Sequence, residues 1–145
     1  MIQEHYYDVQ VEWTEGRKGM MRSEVLPQPI EVATPPQFPN GVEAVWSPEH
    51  LFVAAVNSCL MTTFLAIAEN SRLVYSEFAS KGLGKLELVE GKYLMSEIIL
   101  RPSVTVSREE DREKALRILQ KAEAACLISN SIKSKVVMEP EVITG

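Results

Sequence analysis

From Leu51 to Ala68 the chain runs eighteen residues without a charged side chain. A stretch of that length reads either as a membrane span or as a helix covered by protein on nearly all sides. Asn57, Ser58, Thr62 and Thr63 interrupt its middle, and Glu49 and Glu69 flank it without the basic bias of a membrane-anchored segment. The run is therefore expected to be a buried helix, and no membrane partner is expected. Ser47-Pro48-Glu49 supplies its start: a hydroxyl to cap free amides, proline at the first helical position, and an acid in the first turn. A chain of 145 residues has limited surface with which to cover such a helix, so a second copy of the chain is the expected cover.

Around this helix the pattern is that of strands. Tyr7, Val9, Val11 and Trp13 alternate with Asp8, Gln10 and Glu12, which predicts a half-buried strand. Glu15 to Gly19 has the glycines of a turn, Met20 to Ser23 the look of a returning strand, and Ile30 to Ala33 a further short one. Thr34 to Gly41, with three prolines and Asn40-Gly41, predicts a loop. Beyond the helix, Lys85 to Leu88 and Leu94 to Val106 form a hairpin pattern turning at Glu90-Gly91. Leu94, Ser96, Ile98, Leu100, Pro102, Val104 and Val106 share one face by parity. Ser107 and Glu110 have the spacing of a capping box, and Ala115, Leu119, Ala122 and Cys126 recur at helical steps behind it. Lys135 to Ile143 predicts a last strand, at an edge because of Pro140. Strands, buried helix, strand pair, helix and strand make an α+β chain, with no linker or repeat dividing residues 1–145.

The formal charge is −5, and the one basic clump, Lys133 and Lys135, reads as a solvated edge. Nucleic-acid binding starts from clustered Lys and Arg, so no nucleic-acid partner is expected. The first residues show neither a basic region nor an apolar core of a secretory signal, and a cytoplasmic location is the expectation. Two cysteines, Cys59 and Cys126, make neither a CxxC motif nor, with the widely spaced His5 and His50, a recognisable metal signature. On position alone each cysteine is a packing residue, since free cysteine is commonly buried as a small hydrophobe. Yet the chain holds only these two, one on each major helix. Each also has hydroxyl or amide neighbours, Asn57 and Ser58 for the first, Ser129 and Asn130 for the second.

Four stretches together resemble the OsmC/Ohr family, small thiol-dependent peroxidases. They are Gly16-Arg17-Lys18-Gly19, the segment Ser47-Pro48-Glu49-His50-Leu51-Phe52-Val53-Ala54-Ala55, Cys59 at its distance from Glu49, and Cys126 followed by Ser129. The resemblance covers nearly the whole chain and implies antiparallel sheets packed on long buried helices in an intertwined homodimer. Two departures stand out: Ser47 replaces the usual asparagine, and Leu127 stands where members often have proline. The first exchanges one helix-capping residue for another; the second is expected to relax the helix end that presents Cys126.

By resemblance, Cys59 is the nucleophile, Cys126 the resolving thiol, and Arg17 and Glu49 complete the site. The chemistry is coherent. An ordinary cysteine with a pKa of about 8.5 is mostly protonated at neutral pH, so a cation such as Arg17 is needed to favour the thiolate. Glu49 can hold that guanidinium through a two-pronged ion pair. Alone, Arg17 is a turn charge in solvent and Glu49 a first-turn acid favoured by the helix dipole. The implied substrate is an organic hydroperoxide and the implied reductant an external dithiol, such as a lipoylated protein. No metal, haem or flavin is implied as cofactor. The rival reading is a non-catalytic dimer of the same fold that binds a small apolar ligand, its cysteines serving as packing residues. If Glu49 and Cys59 share one helix, ten residues separate them by about 15 Å at roughly 1.5 Å per residue. One arginine serves both ends more easily across a dimer than within one chain.

Overall fold

A computed structural model describes residues 4–145. It contains seven strands, two α-helices and two short 3-10 turns, and the expected α+β class is what it shows. The chain divides into two compact units, residues 1–51 and 52–145.

The first unit is an antiparallel sheet in the order β1 (Gln10–Glu15), β2 (Lys18–Ser23), β3 (Leu26–Ala33). Gly16, at a φ of 53°, makes the β1–β2 turn possible because an L side chain is strained there. Gly19 is required for a different reason: a Cβ on it would lie 2.7 Å from the Glu12 carbonyl oxygen on β1. The proline-rich stretch after β3 is a loop closed by backbone bonds, Phe38 N–H to Pro35 O and Val42 N–H to Thr34 O. One expectation fails here. The alternation of Val9, Val11 and Trp13 predicts a half-buried strand, but every residue of β1 is exposed. Trp13 keeps 76% of its surface and Val11 65%, so this apolar face is left without cover within the single chain.

Helix α1 (Pro48–Asn70) begins where the capping signal puts it: Ser47, fully buried, accepts the His50 N–H at 3.1 Å through its hydroxyl. In the second unit β5 (Lys92–Val106) is the central strand. It pairs antiparallel with β4 (Glu77–Val89) and in parallel with both β6 (Lys135–Met138) and β7 (Glu141–Thr144). Its expected apolar face is the observed one from Ile98 onward, with Ile98, Leu100, Val104 and Val106 at 0% exposure, while Leu94, near the hairpin turn, is exposed. Against that face pack two helical stripes, Val56, Leu60, Phe64 and Ala68 of α1, and Ala115, Leu119 and Ala122 of α2 (Arg112–Ala125). Each large aliphatic side chain buried there contributes about 1.5–3 kcal/mol. Gly84 and Gly82 let α1 come close to β4, since a Cβ on Gly84 would stand 2.5 Å from a Val53 methyl. Asn57 then ties the helix to β4, donating to the Ser80 carbonyl at 2.8 Å and accepting from the Ser80 hydroxyl at 2.6 Å.

Three further expectations are corrected. Helix α1 is long and apolar enough to span a membrane by length and composition, yet only one stripe of it is fully buried, and Met61 and Leu65 are exposed on other faces. Second, Ser107 and Glu110 do not form a capping box. A 3-10 turn at Glu109–Asp111 precedes α2, no side chain caps either element, and Arg108 instead pairs with Glu110 and Asp111. Third, the last strand is two strands, because Glu139-Pro140 interrupts the ladder between β6 and β7.

Candidate active site

Cys59 projects from α1 beside its buried stripe and is partly exposed, whereas Cys126 follows the last turn of α2 and is fully buried. The two thiols are neighbours, close enough that each shifts the other's ionisation. Three more groups bear on the Cys59 sulfur. Thr63, one helical turn on, has its hydroxyl 3.9 Å from Cys59 Sγ. The backbones of Ile128 and Leu127, in the turn leaving Cys126, also favour the ionised form of Cys59. Burial pushes the Cys59 thiol up, but Cys126, Ile128, Thr63 and Leu127 together outweigh it and hold the thiol below its ordinary value. Cys126 moves the other way. Burial raises it, the neighbouring Cys59 adds to the rise, and the Ser129 hydroxyl and N–H only partly offset both. The Ser129 hydroxyl is sealed from solvent with no full hydrogen bond of its own, and the Cys126 sulfur is the group it faces.

Arg17 and Glu49 belong to the first unit, and there they meet a different feature. Both line an open groove of about 670 Å³ whose walls include Val11, Trp13, Phe38 and Pro48. Arg17 sits in the exposed β1–β2 turn and is held through its backbone, its carbonyl accepting the Thr34 N–H at 3.2 Å. Among the described residues no ion pair joins Arg17 to Glu49. Glu49 nevertheless has one carboxylate oxygen, Oε1, buried without a hydrogen-bond partner. A buried carboxylate oxygen left unpaired is costly, and a guanidinium is the donor best shaped to satisfy it. Glu49 and Cys59 lie on one unbroken helix, so the rise of about 15 Å between them, at roughly 1.5 Å per residue, stands.

Of the four residues singled out in the sequence, the structure makes the two thiols neighbours and sets Arg17 and Glu49 together on the groove of the first unit. Ser129 was noted beside Cys126, but Thr63, Leu127 and Ile128 were not identified as neighbours of Cys59. Thr63 was within reach, four residues along the helix from Cys59 and so on the same face. The backbones of Leu127 and Ile128 carry no side-chain signal at all. Among the described residues no group of three His, Cys, Asp or Glu side chains could hold a metal ion.

Residues 41–141 match the family of OsmC-like proteins. An OsmC-like protein of unknown function from Vibrio cholerae has a similar structure, with a TM-score of 0.84 and 25% identity, covering 94% of this chain and 99% of that one. An organic hydroperoxide resistance protein from Elizabethkingia anophelis shares the fold at a TM-score of 0.74 and 18% identity, with full coverage of both chains. An uncharacterised Bacillus subtilis protein is 25% identical over 143 residues, 95% of this chain and 93% of its own length. The chain belongs to the OsmC-like family.

Proposed function

We propose that the protein is a thiol peroxidase that reduces organic hydroperoxides, with Cys59 as the attacking thiol and Cys126 as the resolving one. The observation that carries the reading is the meeting of two cysteines in different surroundings, one partly exposed with its thiol held below the ordinary value, the other buried with its thiol raised. Family membership supports a redox role, since solved proteins of this fold include organic hydroperoxide resistance proteins.

The reaction balances as follows. The Cys59 thiolate attacks the distal peroxide oxygen; the O–O bond breaks, the leaving alkoxide takes a proton to become the alcohol, and Cys59 becomes a sulfenic acid. Cys126 then attacks that sulfur, releasing water and forming the Cys59–Cys126 disulfide. An external dithiol, such as a lipoylated protein, reduces the disulfide by exchange and is itself oxidised. The groove beside Arg17 and Glu49 is walled by Val11, Trp13 and Phe38, and suits the apolar body of such a hydroperoxide.

The working unit in this proposal is a homodimer. Its support is the uncovered apolar face of β1 and the open faces of α1, which a second copy would bury. Arg17 and Glu49 of one chain then serve Cys59 of the partner subunit. Refolding Cys59→Ser with Arg17→Ala subunits tests this, because mixed dimers regain one intact site only if the residues act across the interface. A monomer by sedimentation at working concentration rejects the dimer.

The apolar groove is also what a ligand-binding module without catalysis would use. Consumption of cumene hydroperoxide with dihydrolipoamide as reductant separates the two readings. Turnover supports the peroxidase; no turnover, with both thiols intact after peroxide treatment, supports the binder.

A further inference from the structure

A hydroxyl in the middle of a helix ordinarily turns back to a carbonyl of the preceding turn. On α1, two hydroxyls near Cys59 do this. Ser58 donates to the Ala55 carbonyl at 3.4 Å, and Thr62 donates to the Cys59 carbonyl at 3.2 Å. Thr63 does not. Its hydroxyl oxygen stands 3.9 Å from Cys59 Sγ, and among the described residues that sulfur is its one side-chain hydrogen-bond partner. The spacing makes the meeting possible, since residues four apart lie on one helix face, one above the other. Thr63 is half-buried, as is Cys59, so water competes less for its hydroxyl than for that of the exposed Thr62. The other sulfur differs here: the buried hydroxyl of Ser129, three residues beyond Cys126, has no hydrogen-bond partner.

We propose that Thr63 is a further catalytic residue, whose hydroxyl hydrogen-bonds the Cys59 sulfur and favours the thiolate that attacks. The inference rests on the reading of Cys59 as nucleophile and deepens it. A hydroxyl suits a sulfur that changes its protonation state, because the O–H rotates. It accepts from the S–H while Cys59 is protonated and donates to the sulfur once that proton has gone. The second bond is charge-assisted and the stronger of the two, so the pair leans towards the thiolate. The ionisation of Cys59 is in keeping with this. Burial pushes the thiol up, Cys126 is the largest influence against that rise, and Thr63 acts in the same lowering direction.

The bond also bears on where the sulfur sits. A cysteine side chain has a choice of staggered rotamers, and the contact with Thr63 holds the one that keeps Sγ against the next turn. Serine could serve in the same way at this position. Valine, with the outline of threonine and a methyl in place of the hydroxyl, could not.

The test exchanges that one group. Thr63→Val removes the hydroxyl and keeps the branched shape; Thr63→Ser keeps the hydroxyl and gives up the methyl. Thr62→Val is the control, because the Thr62 hydroxyl engages backbone alone. Reduced protein is alkylated with iodoacetamide across a range of pH, and the adduct on Cys59 is followed by peptide mass spectrometry. The Thr63→Val midpoint should lie about half a pH unit higher, roughly a threefold loss of thiolate below the midpoint. Its plateau at high pH should not fall, since a thiolate of higher pKa is intrinsically the better nucleophile. Thr63→Ser should restore the original midpoint, and Thr62→Val should not move it. An unmoved midpoint in Thr63→Val, or an equal shift in Thr62→Val, overturns the inference. So does a Thr63→Ser midpoint that stays with that of valine. If Thr63→Val does not fold, Thr63→Ala takes its place, since alanine is the residue best suited to a helix. No step of the test uses peroxide. A moved midpoint in a protein that never consumes hydroperoxide keeps Thr63 as the thiolate's donor and loses the peroxidase; normal peroxide turnover with an unmoved midpoint does the reverse.

Discussion

Cys59 and Cys126 are the same residue on the two main helices, and their surroundings set them apart. Cys59 stands in the middle of a helix, where its own backbone amide is committed to the ladder and offers the sulfur nothing. The groups that lower it come from elsewhere: the Cys126 thiol, a hydroxyl one turn away and the backbone of a different segment. Cys126 stands at a helix end, sealed in the core, and is held as a neutral thiol by burial and by its neighbour's charge. Reactivity here is a property of the place a thiol occupies, and the division of labour follows from which sulfur receives donors and which is simply buried.

The sharpest way to break this comparison is to remove each sulfur in turn. Cys59→Ser should lower peroxide consumption by at least ~10³-fold, since a hydroxyl is no nucleophile at neutral pH. Steady-state assays with an organic hydroperoxide measure it, and full activity would end the account. Cys126→Ser has the next largest effect. The first turnover survives, but the sulfenic acid on Cys59 then waits without a partner and over-oxidises. Mass spectrometry should find a dimedone adduct on Cys59 after one equivalent of peroxide; a variant that cycles at the normal rate would show that Cys126 does not resolve.

Arg17→Ala is smaller in effect and sharpens the comparison. The cation is gone while the other groups that lower Cys59 remain, so its thiol should rise without reaching the value of an unassisted buried cysteine. Because the Cys59 thiol is held below its ordinary value, its alkylation rate should climb with pH and level off earlier than that of an ordinary thiol in the unaltered protein. In Arg17→Ala that climb should move to higher pH, with Arg17→Lys in between. An unmoved profile would take Arg17 out of the site.

The smallest effect belongs to Ser129→Ala. Removing its hydroxyl takes one of the groups that lower Cys126, so the sulfenic acid should persist a few-fold longer before the disulfide closes. Stopped-flow fluorescence after a peroxide pulse reads this lifetime, and an unchanged one means the hydroxyl plays no part in resolution.

What the sequence disclosed follows the same divide. Periodicity found the α2 stripe through Cys126, the β5 face from Ile98 to Val106, and the turn at Glu90 and Gly91, where both residues have positive φ. Each of those is a local pattern facing one packing surface, which is what a period can encode. Failures came where a pattern had a competing use. Ser107 and Glu110 have capping-box spacing, but Arg108 engages the acids of the following turn, and no side chain caps either element. The alternation through Trp13 encodes an apolar face whose cover is not within the chain. Of the candidate site, the four side chains were legible because a resemblance links them in order. The influence of the Leu127 and Ile128 backbones on Cys59 was not, because it depends on the path of the turn and leaves no mark in residue type.

The central claim, that Cys59 and Cys126 work as one redox pair, is tested most directly by counting thiols. Reduced protein is titrated with a chromogenic disulfide under denaturing conditions, before and after one equivalent of an organic hydroperoxide per chain, with over-oxidation checked by intact mass. The account predicts two thiols per chain before and none after, with a loss of two mass units as the disulfide forms. Two thiols still present after peroxide would contradict it.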